Sequence, residues 1–161
     1  ADHRIRVVTG GVTRRDSVWA GLQVLSDALD VAVVHDGARP LVSREVVGRC
    51  IAMAGGGVGA VAGVPVVDTM KEVEDDGHIA TTPNRSRLWH AQTPQAFPLG
   101  VIMDAYRRAL AEGLPATDDA ALVERVGGRV VMVESSPDNL KITRPEDLET
   151  AESILSHREG R

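Results

Sequence analysis

The chain has 161 residues, enough for one domain with a sizeable core, and its formal net charge of −5 with no polybasic tract argues against a nucleic-acid binder. A single cysteine, Cys50, excludes an internal disulfide framework and suits a reducing compartment, where its apolar helical setting makes it a packing residue. No stretch approaches the length of a membrane span and no signal peptide opens the sequence, so a cytoplasmic protein with no membrane partner is expected.

In chain order, apolar runs alternate with helical patterns, the signature of a layered α/β sheet. Residues 5–8 read as a first strand and residues 16–29 as a helix, in which Val18, Leu22, Leu25 and Leu29 recur on one buried face. Asp16 or a neighbour is placed to cap it. Val31, Ala32, Val33 and Val34 form a short apolar run that fits a strand covered on both faces, as in parallel sheets flanked by helices. A helix over residues 43–53 follows, and Gly55, Gly56 and Gly57 end it. The glycines stand after a helix and before a strand, the reverse of the order a phosphate loop needs. A strand over residues 60–64 comes next.

Residues 67–73 and 78–82 read as two strands around the acidic turn Glu74, Asp75, Asp76 and Gly77. A lone hairpin is marginal in water, which makes a second subunit the natural surface for it to lie against. The chain re-enters the body at residues 88–95. A helix over residues 99–112, another over 120–126, a strand over 130–133 and a helix over 145–155 with Pro145 in its first turn complete the pattern. No repeat and no linker divides the chain, so one domain with an arm at about residues 66–87 is expected.

Polar residues at the strand ends mark where chemistry would sit. Ligands of helix-flanked sheets bind beyond the carboxyl ends of the strands, and the 31–34 run ends abruptly in His35, Asp36, Gly37, Ala38, Arg39 and Pro40. Asp36 suits a divalent cation or a sugar hydroxyl, Gly37 and Ala38 admit a ligand close to the backbone, and Arg39 can grip a phosphate with two parallel donors. Lys141 follows a strand and opens a helix, which aims it at the same edge. Gly10 and Gly11, with Thr13, Arg14, Arg15, Asp16 and Ser17 after them, fit both a nucleotide-binding turn and a plain capping turn. Asp68, Thr69, Met70 and Lys71, and Arg85 to Arg87, read as a solvated charged face, and Thr117, Asp118 and Asp119 as a helix cap. The five histidines show no metal-ligand spacing, so zinc is not expected, and His35 and His90 read as structural histidines.

Six segments in one order carry a resemblance. They are Gly10-Gly11 with Arg14, Asp16, Ser17 and Val18; His35-Asp36 with Ala38-Arg39-Pro40; Asp68-Thr69-Met70-Lys71; Leu88-Trp89 with Thr93-Pro94-Gln95; Thr117-Asp118; and Asn139 with Lys141-Ile142-Thr143-Arg144-Pro145-Glu146-Asp147-Leu148. Each is weak alone, but together they span nearly the whole chain, which resembles the 2-C-methyl-D-erythritol 4-phosphate cytidylyltransferases. The resemblance implies a Rossmann-like, mostly parallel sheet with flanking helices and a projecting hairpin arm, the nucleotidyltransferase fold truncated at its N-terminus. It implies CMP transfer from CTP to 2-C-methyl-D-erythritol 4-phosphate with release of pyrophosphate, on the non-mevalonate route to isoprenoid precursors.

By position, Gly10, Gly11 and Ser17 would contact the cytidine, and Asp36 the ribose side and Mg2+, with the Gly37 backbone nearby. Arg39, Thr69, Arg85, Thr93 and Lys141 would surround the acceptor and the α-phosphate, with Asp36, Arg39 and Lys141 as the catalytic set. The arm bearing Thr69 and Arg85 would reach into the site of a second subunit, making a homodimer. Phosphate attack on an α-phosphorus brings anions together, so cations, alignment and a metal are required rather than a protein nucleophile. Position 37 is Gly where the family commonly has Ala, a change that spares a backbone contact.

The family's opening strand and glycine-rich triphosphate loop have no counterpart in residues 1–161. The chain is therefore expected to be a C-terminal part of such an enzyme, with little or no turnover alone. A pentitol phosphate such as ribitol phosphate as acceptor, or a non-catalytic nucleotide-binding or interaction remnant, are the alternatives.

Overall fold

The computed structural model describes residues 5–115 and 117–159. Its elements are α1 (Arg14–Leu22), β1 (Val31–Val34), α2 (Arg44–Gly55), β2 (Gly59–Pro65), β3 (Glu72–Val73), β4 (Ile79–Thr81), a 3-10 turn (Arg85–Arg87), β5 (Trp89–Pro98), α3 (Leu99–Ala111), α4 (Asp119–Arg125), β6 (Val130–Glu134) and α5 (Pro145–Glu159).

A four-stranded sheet has the order β1-β5-β2-β6. β5 pairs antiparallel with both β1 and β2, while β2 and β6 pair parallel. β1, β2 and β6 therefore share a direction and β5 alone is reversed. The result is the expected α/β sheet, mostly parallel in strand direction and mixed in its pairing.

Side-chain alternation along the strands sorts the core into two layers. Val61 of β2 and Phe97 of β5 face α3 and α4, packing with Ile102, Tyr106, Leu122 and Val123. Their neighbours Ala60, Ala62 and Ala96 face the other way, where Val46, Cys50 and Ala54 of α2 meet the sheet. Small residues on both sides of that contact let α2 lie close. Cys50 is fully buried, and its thiol is pushed above its ordinary pKa by burial, in keeping with a packing role.

Helix boundaries follow the capping chemistry. Ser43 caps α2 through Val46 N, and Gly56 closes it, with Gly57 at φ 88° carrying the chain out, so the glycine cluster ends the helix as expected. In α1, Thr13 is the cap and Asp16 completes a capping box by accepting from Thr13 N. Those bonds hold the Asp16 carboxyl below the usual carboxylate range, with the Thr13 side chain the largest contributor.

Three expectations change. Residues 5–8 form no strand: a strand needs a ladder partner, none pairs with them among the described residues, and Val7 is 96 % exposed. The helix expected over residues 16–29 starts at Arg14 and stops at Leu22, because Leu25 and Leu29 remain exposed and offer no buried face to continue it. β1 is not covered on both faces. Among the described residues it lies at the sheet edge, hydrogen-bonded only to the antiparallel β5, and Val33 is exposed.

The arm is present but shorter in regular structure than expected. β3 and β4 pair antiparallel across a turn in which Glu74 N donates to His78 O and Gly77 N to Glu74 O, with Gly77 at φ 87°. Both of its strands are exposed throughout, with Val67, Met70, Val73 and Ile79 facing solvent.

Candidate active site

The carboxyl ends of β1 and β6 supply two loops that meet. After β1, Asp36 to Arg39 form a tight turn closed by Arg39 N donating to Asp36 O at 2.9 Å. After β6, residues 135–144 lead into α5. Ile142 N donates to Ala38 O at 2.8 Å, so backbone joins the two loops directly.

Charge converges at this junction. Lys141 Nζ lies 3.1 Å from Asp36 Oδ2, and Arg39 Nε lies 3.6 Å from the same oxygen. The expectation that Lys141 shares an edge with Asp36 is met, and Asp36, Arg39 and Lys141 form one cluster. Burial pulls the Arg39 pKa below its ordinary value while the Asp36 charge acts in the opposite direction. The guanidinium does not present an open two-pronged grip, since Nη1 donates to Asn139 O at 2.7 Å and Nε is buried without a hydrogen-bond partner.

Thr93 stands behind the cluster. Its hydroxyl oxygen accepts from Asp36 N at 3.0 Å and pairs with His35 Nδ1 at 2.9 Å, and His35 Nε2 meets Arg39 O at 3.0 Å. Because the Arg39 carbonyl can only accept, His35 Nε2 carries the proton that faces it, and Nδ1 of that tautomer accepts from the Thr93 hydroxyl. His35 is thus the structural histidine expected, holding the turn shut. Thr93 is buried, with its hydroxyl committed inside the protein.

Gly10, Gly11 and Ser17 form a different feature. Ser17 Oγ accepts from Gly11 N at 3.1 Å and donates to Thr13 O at 3.0 Å. A side chain at Gly11 would run into Asp16, and one at Gly10 would come within 2.8 Å of Ser17 Oγ. Close approach of the loop to α1 explains both glycines, as in a capping turn, and Gly37 by contrast has open space around it.

Thr69 and Arg85 lie out on the exposed arm, where Arg85 Nη1 donates to Val67 O. Within one chain, no described hydrogen bond or ion pair ties them to Asp36, Arg39 or Lys141.

Asp119, expected only to favour a helix terminus, is fully buried. Asp118 provides the α4 cap. Asp119 accepts two bonds from Arg14, at 3.0 and 2.7 Å, and one from the Tyr106 hydroxyl, while Trp19 stacks on Tyr106 at 6.2 Å. The ion pair raises the Arg14 pKa, Asp119 being the main cause. This cluster clamps the start of α1 to α3 and α4. Nothing in the spacing of Arg14 and Asp119 announces it.

Gln92 and Asn139, also without an expected role, are buried and bonded to each other. Two polar residues at positions that fold inward are the signal that could have flagged them.

Among the described residues, no group of three or more His, Cys, Asp or Glu side chains is placed to hold a metal, and no helix is long and apolar enough to cross a membrane. Asp36 is a lone carboxylate. That suits Mg2+, which is commonly held by one or two carboxylates together with substrate phosphates and water.

The profile of the family described as IspD, 2-C-methyl-D-erythritol 4-phosphate cytidylyltransferase, matches residues 1–157. The chain belongs to this family.

Among curated relatives, the cytidylyltransferase of Syntrophus aciditrophicus is 46 % identical over 155 residues, covering 96 % of this chain and 66 % of that protein. That of Syntrophotalea carbinolica is 50 % identical over 150 residues, covering 92 % and 64 %. The chain thus spans just under two thirds of the length of these curated relatives. Of solved structures, the 4-diphosphocytidyl-2C-methyl-D-erythritol synthase of Anaerococcus prevotii superposes with a TM-score of 0.89 at 34 % identity, over 97 % of this chain and 70 % of that one. The Thermus thermophilus cytidylyltransferase gives 0.82 at 38 % identity, over 91 % and 71 %. The mixed sheet with flanking helices is therefore the fold of this cytidylyltransferase family.

Proposed function

We propose that this chain contributes the acceptor-binding rim of an enzyme that transfers CMP from CTP to 2-C-methyl-D-erythritol 4-phosphate with release of pyrophosphate. The observation that carries the reading is the convergence of Lys141 and Arg39 on Asp36 at the meeting of two strand-end loops, together with membership of the family. Family membership favours methylerythritol phosphate over a pentitol phosphate.

In this reading Lys141 is the mobile charge that leaves Asp36 for an incoming phosphoryl oxygen, and Arg39 holds the turn and adds fixed positive potential. Asp36 would meet the ribose side and would be the carboxylate that holds Mg2+, which would supply charge neutralisation for the phosphoryl group. Thr93 sets the Asp36 backbone. Gly10, Gly11 and Ser17 present the turn that meets the cytidine, and Gly37 leaves room beside Asp36. Thr69 and Arg85 complete the acceptor pocket of a second subunit, which the exposed apolar side chains of the arm support.

Calorimetric titration with 2-C-methyl-D-erythritol 4-phosphate tests the reading. Saturable binding that is weakened about tenfold in Lys141→Ala is the expected result. No binding, or tighter binding of ribitol phosphate, overturns it.

A further inference from the structure

We infer that Asn139, paired with Gln92, is a positioning residue that sets Arg39 and Lys141 against Asp36. The inference rests on the reading of this rim as a phosphate site, and it adds to that site two residues that touch no ligand.

Both side chains are buried, with 2 % exposure at Asn139 and 7 % at Gln92. A buried amide is costly where its polar atoms go unmet; Asn139 Oδ1 has no hydrogen-bond partner, but the amide nitrogens of the pair are met in a directed way. Asn139 Nδ2 donates to Gln92 Oε1 and to Thr93 O, both at 2.9 Å. Gln92 Nε2 donates to Ser136 O at 3.3 Å. The pair therefore ties β5 to the loop that carries Lys141, at both Ser136 and Asn139.

From Asn139 a short route leads to each charged residue of the rim. Its own carbonyl accepts from Arg39 Nη1 at 2.7 Å. Its side chain fixes the Thr93 carbonyl, and the Thr93 hydroxyl holds Asp36 N. Lys141 follows two positions later in the chain and reaches Asp36 Oδ2. A shift of the Asn139 backbone thus moves the Arg39 anchor and the Lys141 stem together. In a buried, low-dielectric network such bonds reinforce one another, so loss of one member loosens the rest. Asn139→Ala would leave Gln92 Oε1 without a donor, and Thr93 O without its side-chain bond.

Two readouts test this. Amide hydrogen exchange in Asn139→Ala is expected to quicken about tenfold or more at Asp36 and Ile142, as for the loss of roughly one buried hydrogen bond, with Ile102 and Ala105 in α3 unchanged. In calorimetry with 2-C-methyl-D-erythritol 4-phosphate, Asn139→Ala and Arg39→Ala are each expected to weaken binding about tenfold, and the double variant no more than Arg39→Ala alone, because residues acting through one another are not additive. Unchanged exchange at Asp36 and Ile142, or additive losses in the double variant, overturns the inference. If the unsubstituted chain does not bind the ester, the functional reading fails while the exchange result still decides the positioning role. If Asn139→Ala does not fold, Gln92→Ala keeps the Asn139 bond to Thr93 O and is judged by the same readouts.

Discussion

Lys141 Nζ lies 3.1 Å from Asp36 Oδ2 with the lysine side chain 48 % exposed, so this contact between the β6 and β1 loops is open to solvent. Exposed pairs of this kind contribute about 0–1 kcal/mol, which lets an incoming phosphate exchange for the carboxylate at little cost. Lys141→Ala should leave the melting temperature nearly unchanged and weaken 2-C-methyl-D-erythritol 4-phosphate binding about tenfold, the loss of one charge-assisted contact. Asp36→Asn should tighten binding of inorganic phosphate in the absence of Mg2+, since the competing carboxylate is gone. Calorimetry on the two variants decides both, and equal affinities in all three proteins would rule out a phosphate role for the pair.

The buried carboxylate of Asp119 behaves differently. It accepts from Arg14 and from Tyr106, and removing one partner of a buried pair strands the other. Arg14→Ala, which leaves the fully buried Asp119 carboxylate without its cation, should cost about 3–5 kcal/mol in urea unfolding. Because Arg14 opens α1, the loss should also loosen the Gly10 to Ser17 turn, seen as faster exchange at the Gly11 amide. A cost below roughly 1 kcal/mol would show that the clamp does not hold the layer together.

Tyr106 is the only tyrosine in the chain and is fully buried, so its ionisation can be read alone. Burial, reinforced by the Asp119 charge, raises the phenol well above its ordinary value of about 10. A group whose folded pKa is raised contributes stability that is complete below the unfolded pKa and is lost as pH climbs from there toward the folded value. Stability should therefore fall above about pH 10, and phenolate absorbance should appear together with unfolding rather than before it. Phenolate formation near pH 10 in a protein that stays folded would contradict the buried setting.

The arm exposes Val67, Met70, Val73 and Ile79 on a hairpin that has no apolar partner among the described residues. Such a hairpin is marginal alone, and a second copy of the chain is the proposed cover. Val73→Glu with Ile79→Glu should shift sedimentation from dimer to monomer while far-ultraviolet circular dichroism is retained. A monomeric unsubstituted chain would remove the proposal that Thr69 and Arg85 act in a neighbouring site.

Much of the architecture was legible because it is local. Ser43 before an amphipathic run, Gly57 after it, Pro145 in a first turn and Asp-Gly in a hairpin each act within a few residues, so α2, α5 and the arm could be placed from the chain itself. Residues 5–8 have the composition of a strand but find no partner to pair with among the described residues, and a strand exists only as part of a ladder. The helix expected through residues 16–29 stops at Leu22 for a related reason, since Leu25 and Leu29 find nothing to cover them among the described residues.

By itself the sequence determined the layered α/β class, the order of the helices and of most strands, and the charged residues at two strand ends, since periodicity and capping are properties of neighbouring residues. Only the tertiary structure decided that β5 runs between β1 and β2 in reverse, that Asp36, Lys141 and Arg39 meet, and that Asn139, Gln92 and Asp119 are buried and bonded. Those contacts join residues far apart in the chain. Their energies come from desolvation and hydrogen-bond partners that exist only once the loops and layers have closed on each other.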